Sequence, residues 1–201
     1  MKKLFMRFAL ILKLKRNMAA TLSNMMELGT IAPDFALLDT VSDKTLTLTD
    51  LKSDVATVIV FICNHCPYVK HINSKMVEVA NKYQEKGVKF IAISSNSVET
   101  HPQDGPEHMK RIAKEQSYPF PYLYDETQEV AKAYQAECTP DLFVFDKDLK
   151  CVYRGQFDDS RPNKGEATGK DLSTALDAII AGEKVSEKQK PSMGCNIKWK
   201  E

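Results

Sequence analysis

The sequence is short of several things, and each shortage narrows what the chain can be. It has no apolar run of the ~20 residues that a membrane-crossing helix needs. The longest run, Val55–Cys63, holds a threonine and has the length of a buried strand. Glycine and proline together fill only 17 of 201 positions, without period, which excludes collagenous and low-complexity classes. No glycine-rich phosphate-binding motif occurs, so no nucleotide or nicotinamide cofactor is expected. Beyond one C-x-x-C there is no second such pair and no H-x₃-H to complete a four-ligand zinc site. Acid is missing from residues 1–26, which carry six basic residues; the rest has 22 basic and 27 acidic, a balance of −5. The overall charge of +1 therefore joins a basic leader to a mildly acidic body, and an acidic body gives no general reason to expect nucleic acid as a partner.

The leader MKKLFMRFALILKLKR is basic and amphipathic. Only five residues separate Arg7 from Lys13, fewer than the 7–15 apolar residues of a secretory core. Three readings stay open: a targeting or membrane-surface helix, a weak secretory signal, or an upstream extension with the working chain starting at Met18. The expected organisation is a leader over 1–26, one domain over 27–182, and a tail over 183–201 whose Cys195, Ile197 and Trp199 give it apolar surface for docking. Five cysteines, an odd number with one tight pair, do not suit a secreted disulfide framework; a reducing compartment, with the cytoplasm as default, is expected.

Along the body, 34–38 and 46–48 flank a polar segment and read as a β-hairpin. The β-branched stretch 55–62 reads as a central strand covered on both faces. After Pro67 the apolar residues Val69, Ile72, Met76, Val79, Ala80 and Tyr83 recur at helical spacing up to Gly87. A second buried strand is expected at 88–94, a loop at 101–106, helices at 107–115, 127–135 and 170–181, a short strand at 122–124, and a hairpin pair at 142–146 and 151–154. Strands joined through helices run parallel and hairpins antiparallel, so the expected fold is an α/β mixed sheet with helices on both faces and an N-terminal β-hairpin extension.

Cys63-Asn64-His65-Cys66 lies where the buried strand ends and the long helix begins. A helix N-terminus offers unpaired N–H groups and the positive end of the macrodipole, both of which stabilise a thiolate. A thiolate is the form that attacks disulfides or peroxides. Two cysteines three apart can also bridge, and His65 between them can lower a thiol pKa. The competing readings are a Cys/His metal-binding module on Cys63, His65 and Cys66, completed by Cys138 or Cys195, and two unreactive core thiols. Cys138-Thr139-Pro140 precedes a strand; from local sequence alone Pro140 is an ordinary turn proline.

The segments GTIAPDFALLD, FICNHCPYVKHI, DETQEVAKAY, CTPDLFVFD, VYRGQFDDSRP and PSMGCNIKW, spread over 29–201, resemble the thioredoxin superfamily. Within it they are similar to the peroxiredoxin-like branch, the alkyl hydroperoxide reductase/thiol-specific antioxidant group. The resemblance implies a thioredoxin-like fold, a Cys63–Cys66 redox pair, and Pro140 as a cis-proline that with Thr139 forms a platform for extended substrates. It also implies an antioxidant or redox-homeostasis role. Peroxiredoxins carry P-x-x-x-[TS]-x-x-C and a later arginine. With Cys66 in the peroxidatic position, the threonine falls on Cys63, the proline on Ile59, and the arginine at about Pro140. The groups that would stabilise charge on a breaking O–O bond are lost.

Dithiol–disulfide exchange is therefore the expected activity, with a Cys66-based peroxidase as the alternative. In the expected mechanism Cys63, at the exposed edge of the turn, attacks a substrate disulfide; Cys66, more buried, resolves it; His65 tunes the Cys63 thiolate. No cofactor or metal is expected. The partners are protein or small-molecule disulfides or thiols, peroxides in the alternative, and an external thiol reductant. Thr57 stands where thioredoxins carry a buried acid. Cys138 and Cys195 are auxiliary-thiol candidates, Cys151 reads as structural, and the polar 158–161 segment reads as a solvated turn.

Overall fold

The computed structural model describes residues 20–201; residues 1–19, on which the three leader readings turn, lie outside it. The hairpin forms from β2 (Ala36–Asp39) and β3 (Lys44–Thr47), after a short β1 (Ala20–Leu22). Helix α1 (Leu48–Leu51) follows, started by a capping box in which Thr47 and Asp50 satisfy each other's backbone amides. The central strand β4 (Ala56–Phe61) is buried at every position, as its unbroken apolar pattern requires. It feeds helix α2 (Pro67–Gln84), which has Cys66 as N-cap and Pro67 in the first turn, where a missing N–H costs nothing. The turn after α2 uses Gly87 at φ +86°, a left-handed conformation open to glycine.

Strand β5 (Lys89–Ser94), a 3₁₀ turn at Pro102–Asp104, α3 (Pro106–Glu115), β6 (Tyr122–Tyr124) and α4 (Glu129–Ala133) come next. The chain ends with β7 (Cys138–Thr139), β8 (Asp141–Asp146), β9 (Cys151–Gly155), α5 (Lys170–Ile180) and β10 (Met193–Asn196). Among the described residues no helix is long and apolar enough to cross a membrane.

Seven strands form one mixed sheet in the order β3-β2-β6-β5-β4-β8-β9. Strand β4 runs parallel to β5, with Ile59 opposite Ile91, and antiparallel to β8, with Ile59 opposite Phe143. Alternation along β4 sends Val58 and Val60 into a core with Ile72, Met76 and Val79 of α2. Ile59 and Phe61 go to the opposite core, with Leu48 and Tyr134. Each such fully buried side chain contributes ~1.5–3 kcal/mol relative to exposure.

Two sequence expectations need correction. The leader boundary at residue 26 falls too late: β1 is a strand of the fold, and Met26, 1% exposed, sits in the core. The expected loop at 101–106 holds the 3₁₀ turn and the first residue of α3. The three-stranded sheet β1-β10-β7 was also not foreseen; it ties the first described strand to the last over the segment before Pro140.

Candidate active site

Strand β4 and helix α2 meet at Cys63–Cys66, and the segment Thr139–Pro140 closes over that junction with a cis peptide bond. Cys63 Sγ lies 3.4 Å from Thr139 Oγ1 and 3.7 Å from His65 Nδ1. Cys66 Sγ lies 3.1 Å from the Thr139 carbonyl oxygen. Cys63, His65, Cys66, Thr139 and Pro140 are thus brought together. The expected exposed edge for Cys63 is not found, since it is only 2% exposed and Cys66 0%. Cys63 instead lines a cavity of about 210 Å³ with Asn64, Val69, Lys70, Asn73 and Tyr118.

Asp104, fully buried in the 3₁₀ turn, was missed by sequence reasoning. It accepts hydrogen bonds from the Asn64 amide (2.8 Å), Asn96 Nδ2 (2.8 Å) and His65 Nδ1 (2.7 Å). Burial alone would raise its pKa; the bonds from His65, Asn96 and Asn64 outweigh that and hold it below the usual carboxylate range. As an anion it accepts only, so His65 Nδ1 carries a proton toward it, and His101 stacks on the imidazole at 4.9 Å. Nothing in the sequence spacing marks Asp104, because a tertiary contact 39 residues away carries its role.

Thr57, where thioredoxins carry a buried acid, accepts from the Ser53 amide. The other fully buried acid near the pair is Asp141, just after the cis bond, whose pKa burial raises to about 7.

The two thiols of the pair are shifted in opposite directions. Cys66 is drawn well below an ordinary thiol, first by a hydrogen bond from Cys195, then by one from Cys63. Cys63 is raised by donating to Cys66, by burial and by the Asp104 charge. Of the auxiliary candidates, Cys195 on β10 comes to 2.9 Å from Cys66, Sγ to Sγ. Cys138 faces the Pro140 carbonyl oxygen at 3.5 Å, and burial pushes its thiol up. Cys151 is buried in β9 and raised to about 11, again by burial.

Cys63, His65 and Asp104 also bring three ligand-type atoms within 4.8 Å of one another, a different set from the Cys63/His65/Cys66 module. Through Oδ2 Asp104 accepts from His65 Nδ1 and so orients the imidazole beside Cys63. The 158–161 segment is not a simple solvated turn: buried Asp158 accepts from the Ser160, Thr168 and Gly169 amides and organises the start of α5.

Comparison with known proteins agrees with this geometry. An uncharacterised conserved protein from Geobacillus kaustophilus superposes with a TM-score of 0.90 at 61% identity, over 91% of this chain and 97% of that one. A hypothetical protein from Sinorhizobium meliloti 1021 gives 0.87 at 44% identity, over 90% and 98%. A protein named thiol-disulfide oxidoreductase ResA, from Bacillus thuringiensis subsp. konkukian, is 29% identical over 77% of this chain and 79% of its own length. The model of the AhpC/TSA family matches residues 28–154, a span that contains the cysteine pair, its histidine, Asp104 and the cis-proline. A mixed sheet that presents this pair at a helix start against a cis-proline is the thioredoxin-like fold, and with that match the chain belongs to the AhpC/TSA family.

Proposed function

We propose that the chain is a thiol–disulfide oxidoreductase that cycles Cys63 and Cys66 between dithiol and disulfide. The observation that carries this reading is the pair's setting: two thiols at a helix N-terminus, against a cis-proline, each within contact of Thr139.

In the first step Cys63 gives up its proton to solvent, while Cys66 stays a thiol and donates to the Thr139 carbonyl. The Cys63 thiolate, facing the cavity and within reach of the Thr139 hydroxyl, attacks a substrate disulfide. One substrate thiolate leaves and a mixed disulfide forms. Cys66 then loses its proton and attacks Cys63 Sγ; the second substrate thiolate leaves as the Cys63–Cys66 bond closes. His65, held by Asp104, borders the Cys63 sulfur throughout. An external thiol reductant reverses the oxidation. Cysteine usage supports a reducing compartment, the cytoplasm, as the place of work.

The family name and the lowered pKa of Cys66 support a second reading, peroxide reduction by Cys66 with Cys63 resolving. The two are separated by stopped-flow work on the reduced protein. Exchange predicts two thiols released from an aromatic disulfide per protein, and a stalled mixed disulfide on Cys63 in Cys66→Ser. It also predicts peroxide consumption at the rate of an ordinary free thiol. Fast peroxide consumption without disulfide turnover would transfer the assignment to the peroxidase.

A further inference from the structure

The edge of β7 is where a cis-proline segment would pair with an extended substrate, and the chain's own C-terminal strand already occupies it. In antiparallel register β10 sets Cys195 opposite Thr139 and Asn196 opposite Cys138. Strand β1 covers the other side of β10, with Ala20 opposite Cys195 and Leu22 opposite Met193, so β10 is the middle strand of three. Gly194 makes the fit possible: a Cβ there would stand 1.9 Å from the Thr139 carbonyl oxygen. Beyond the strand, the Ile197 amide donates to the Glu137 carbonyl and the Lys198 amide to Asn96, the same asparagine that donates to Asp104.

The tail is thus seated in register and delivers a thiol 2.9 Å from Cys66 Sγ, where closing a disulfide of ~2.05 Å needs a shift of under ~1 Å. Accessibility points the same way, because Cys63 and Cys66 are buried while Cys195 is partly exposed.

We propose that Cys195 is a third redox thiol, which takes over the Cys63–Cys66 disulfide as a Cys66–Cys195 disulfide and presents it to an external dithiol reductant. Cys195 gives its proton to solvent and its thiolate attacks Cys66 Sγ. The Cys66–Cys195 bond forms, the Cys63–Cys66 bond breaks, and Cys63 leaves with the electron pair as a thiolate, then takes up a proton. This is an isomerisation with no change in oxidation level. The dithiol then attacks Cys195, frees Cys66 as a thiolate, and closes its own disulfide to release Cys195. Small disulfides would enter at the Cys63 cavity and reducing equivalents at the tail, so the covered β7 edge is a consequence of the relay. The proposal rests on the Cys63–Cys66 reading.

Tryptic mapping of the full chain separates the two, because Cys63 and Cys66 share peptide 53–70 while Cys195 falls in 189–198. Oxidation of the Cys63→Ser variant with oxidised glutathione should link 53–70 to 189–198 through Cys66 and Cys195. In Cys195→Ser, where no third thiol can take over the bridge, an internal loop in 53–70 reports the primary pair. Re-reduction of the oxidised protein by dithiothreitol should be at least tenfold slower in Cys195→Ser than in wild type. A Cys63→Ser protein whose Cys66 stays free or only glutathionylated, or a Cys195→Ser protein re-reduced at the wild-type rate, would overturn the relay. If peptide 53–70 of Cys195→Ser forms no loop, the primary reading fails instead, and the relay with it.

Discussion

At Asp104 a buried carboxylate accepts from His65, Asn96 and the Asn64 amide, and its charge bears on the Cys63 thiol. An anion close to a thiol disfavours the thiolate, so removing the charge lowers the Cys63 pKa. Asp104→Asn should therefore move the onset of Cys63 alkylation by iodoacetamide to lower pH, read by mass spectrometry of peptide 53–70. A shift to higher pH would contradict the assignment. Asp141 offers a test of stability. Its folded pKa of about 7 lies above the unfolded value of ~3.9, so the folded state holds the proton more tightly. The stability it contributes is complete below about pH 4 and is lost as pH rises to about 7, with a slope of at most ~1.4 kcal/mol per pH unit. Urea unfolding across that range should show the decline, and Asp141→Asn should flatten it. Neither acid could be read from the sequence as a site residue, since each takes its role from strands and turns that only folding brings together. The cysteine pair and His65 could be read, because their chemistry is local to four consecutive residues.

Among the elements, β4 and α2 follow directly from sequence pattern: an unbroken β-branched run, then a proline and a three-four apolar repeat. Strands β1, β7 and β10 do not. Each has two to four residues, and β10 meets its partners across more than fifty positions of chain, so no local period marks them. The covered cis-proline edge followed from those unseen strands, and for that reason the substrate platform expected at Thr139 and Pro140 proved already occupied. Gly194→Ala tests this packing. A methyl forced against the Thr139 carbonyl should cost about 1–3 kcal/mol and move Cys195 away from Cys66. The readouts are a lower Tm and faster alkylation of Cys195; an unchanged Tm and rate would show that β10 does not sit as described. In β4, Ile59→Ala removes a fully buried side chain between β5 and β8 and should cost about 2–5 kcal/mol by chemical denaturation.

For the whole molecule, the fold class, the parallel run of the two inner strands and the antiparallel terminal hairpin were legible, because the alternation of buried strands and amphipathic helices admits few topologies. What the pattern left open was how the first and last described strands close on the site. The acidic body, the buried pair and the docked tail describe a domain whose redox centre is shielded on one side by its own C-terminus and reached on the other through a small cavity. The central claim is that Cys63 and Cys66 cycle between dithiol and disulfide. It is tested most directly by equilibrating the Cys195→Ser protein in glutathione buffers of graded potential and following the two thiols of peptide 53–70 by alkylation and mass spectrometry. The account predicts that both thiols disappear together in one reversible two-electron transition, with a loop inside that peptide. Independent loss of the thiols, or a peptide that stays reduced across the whole glutathione range, would contradict it.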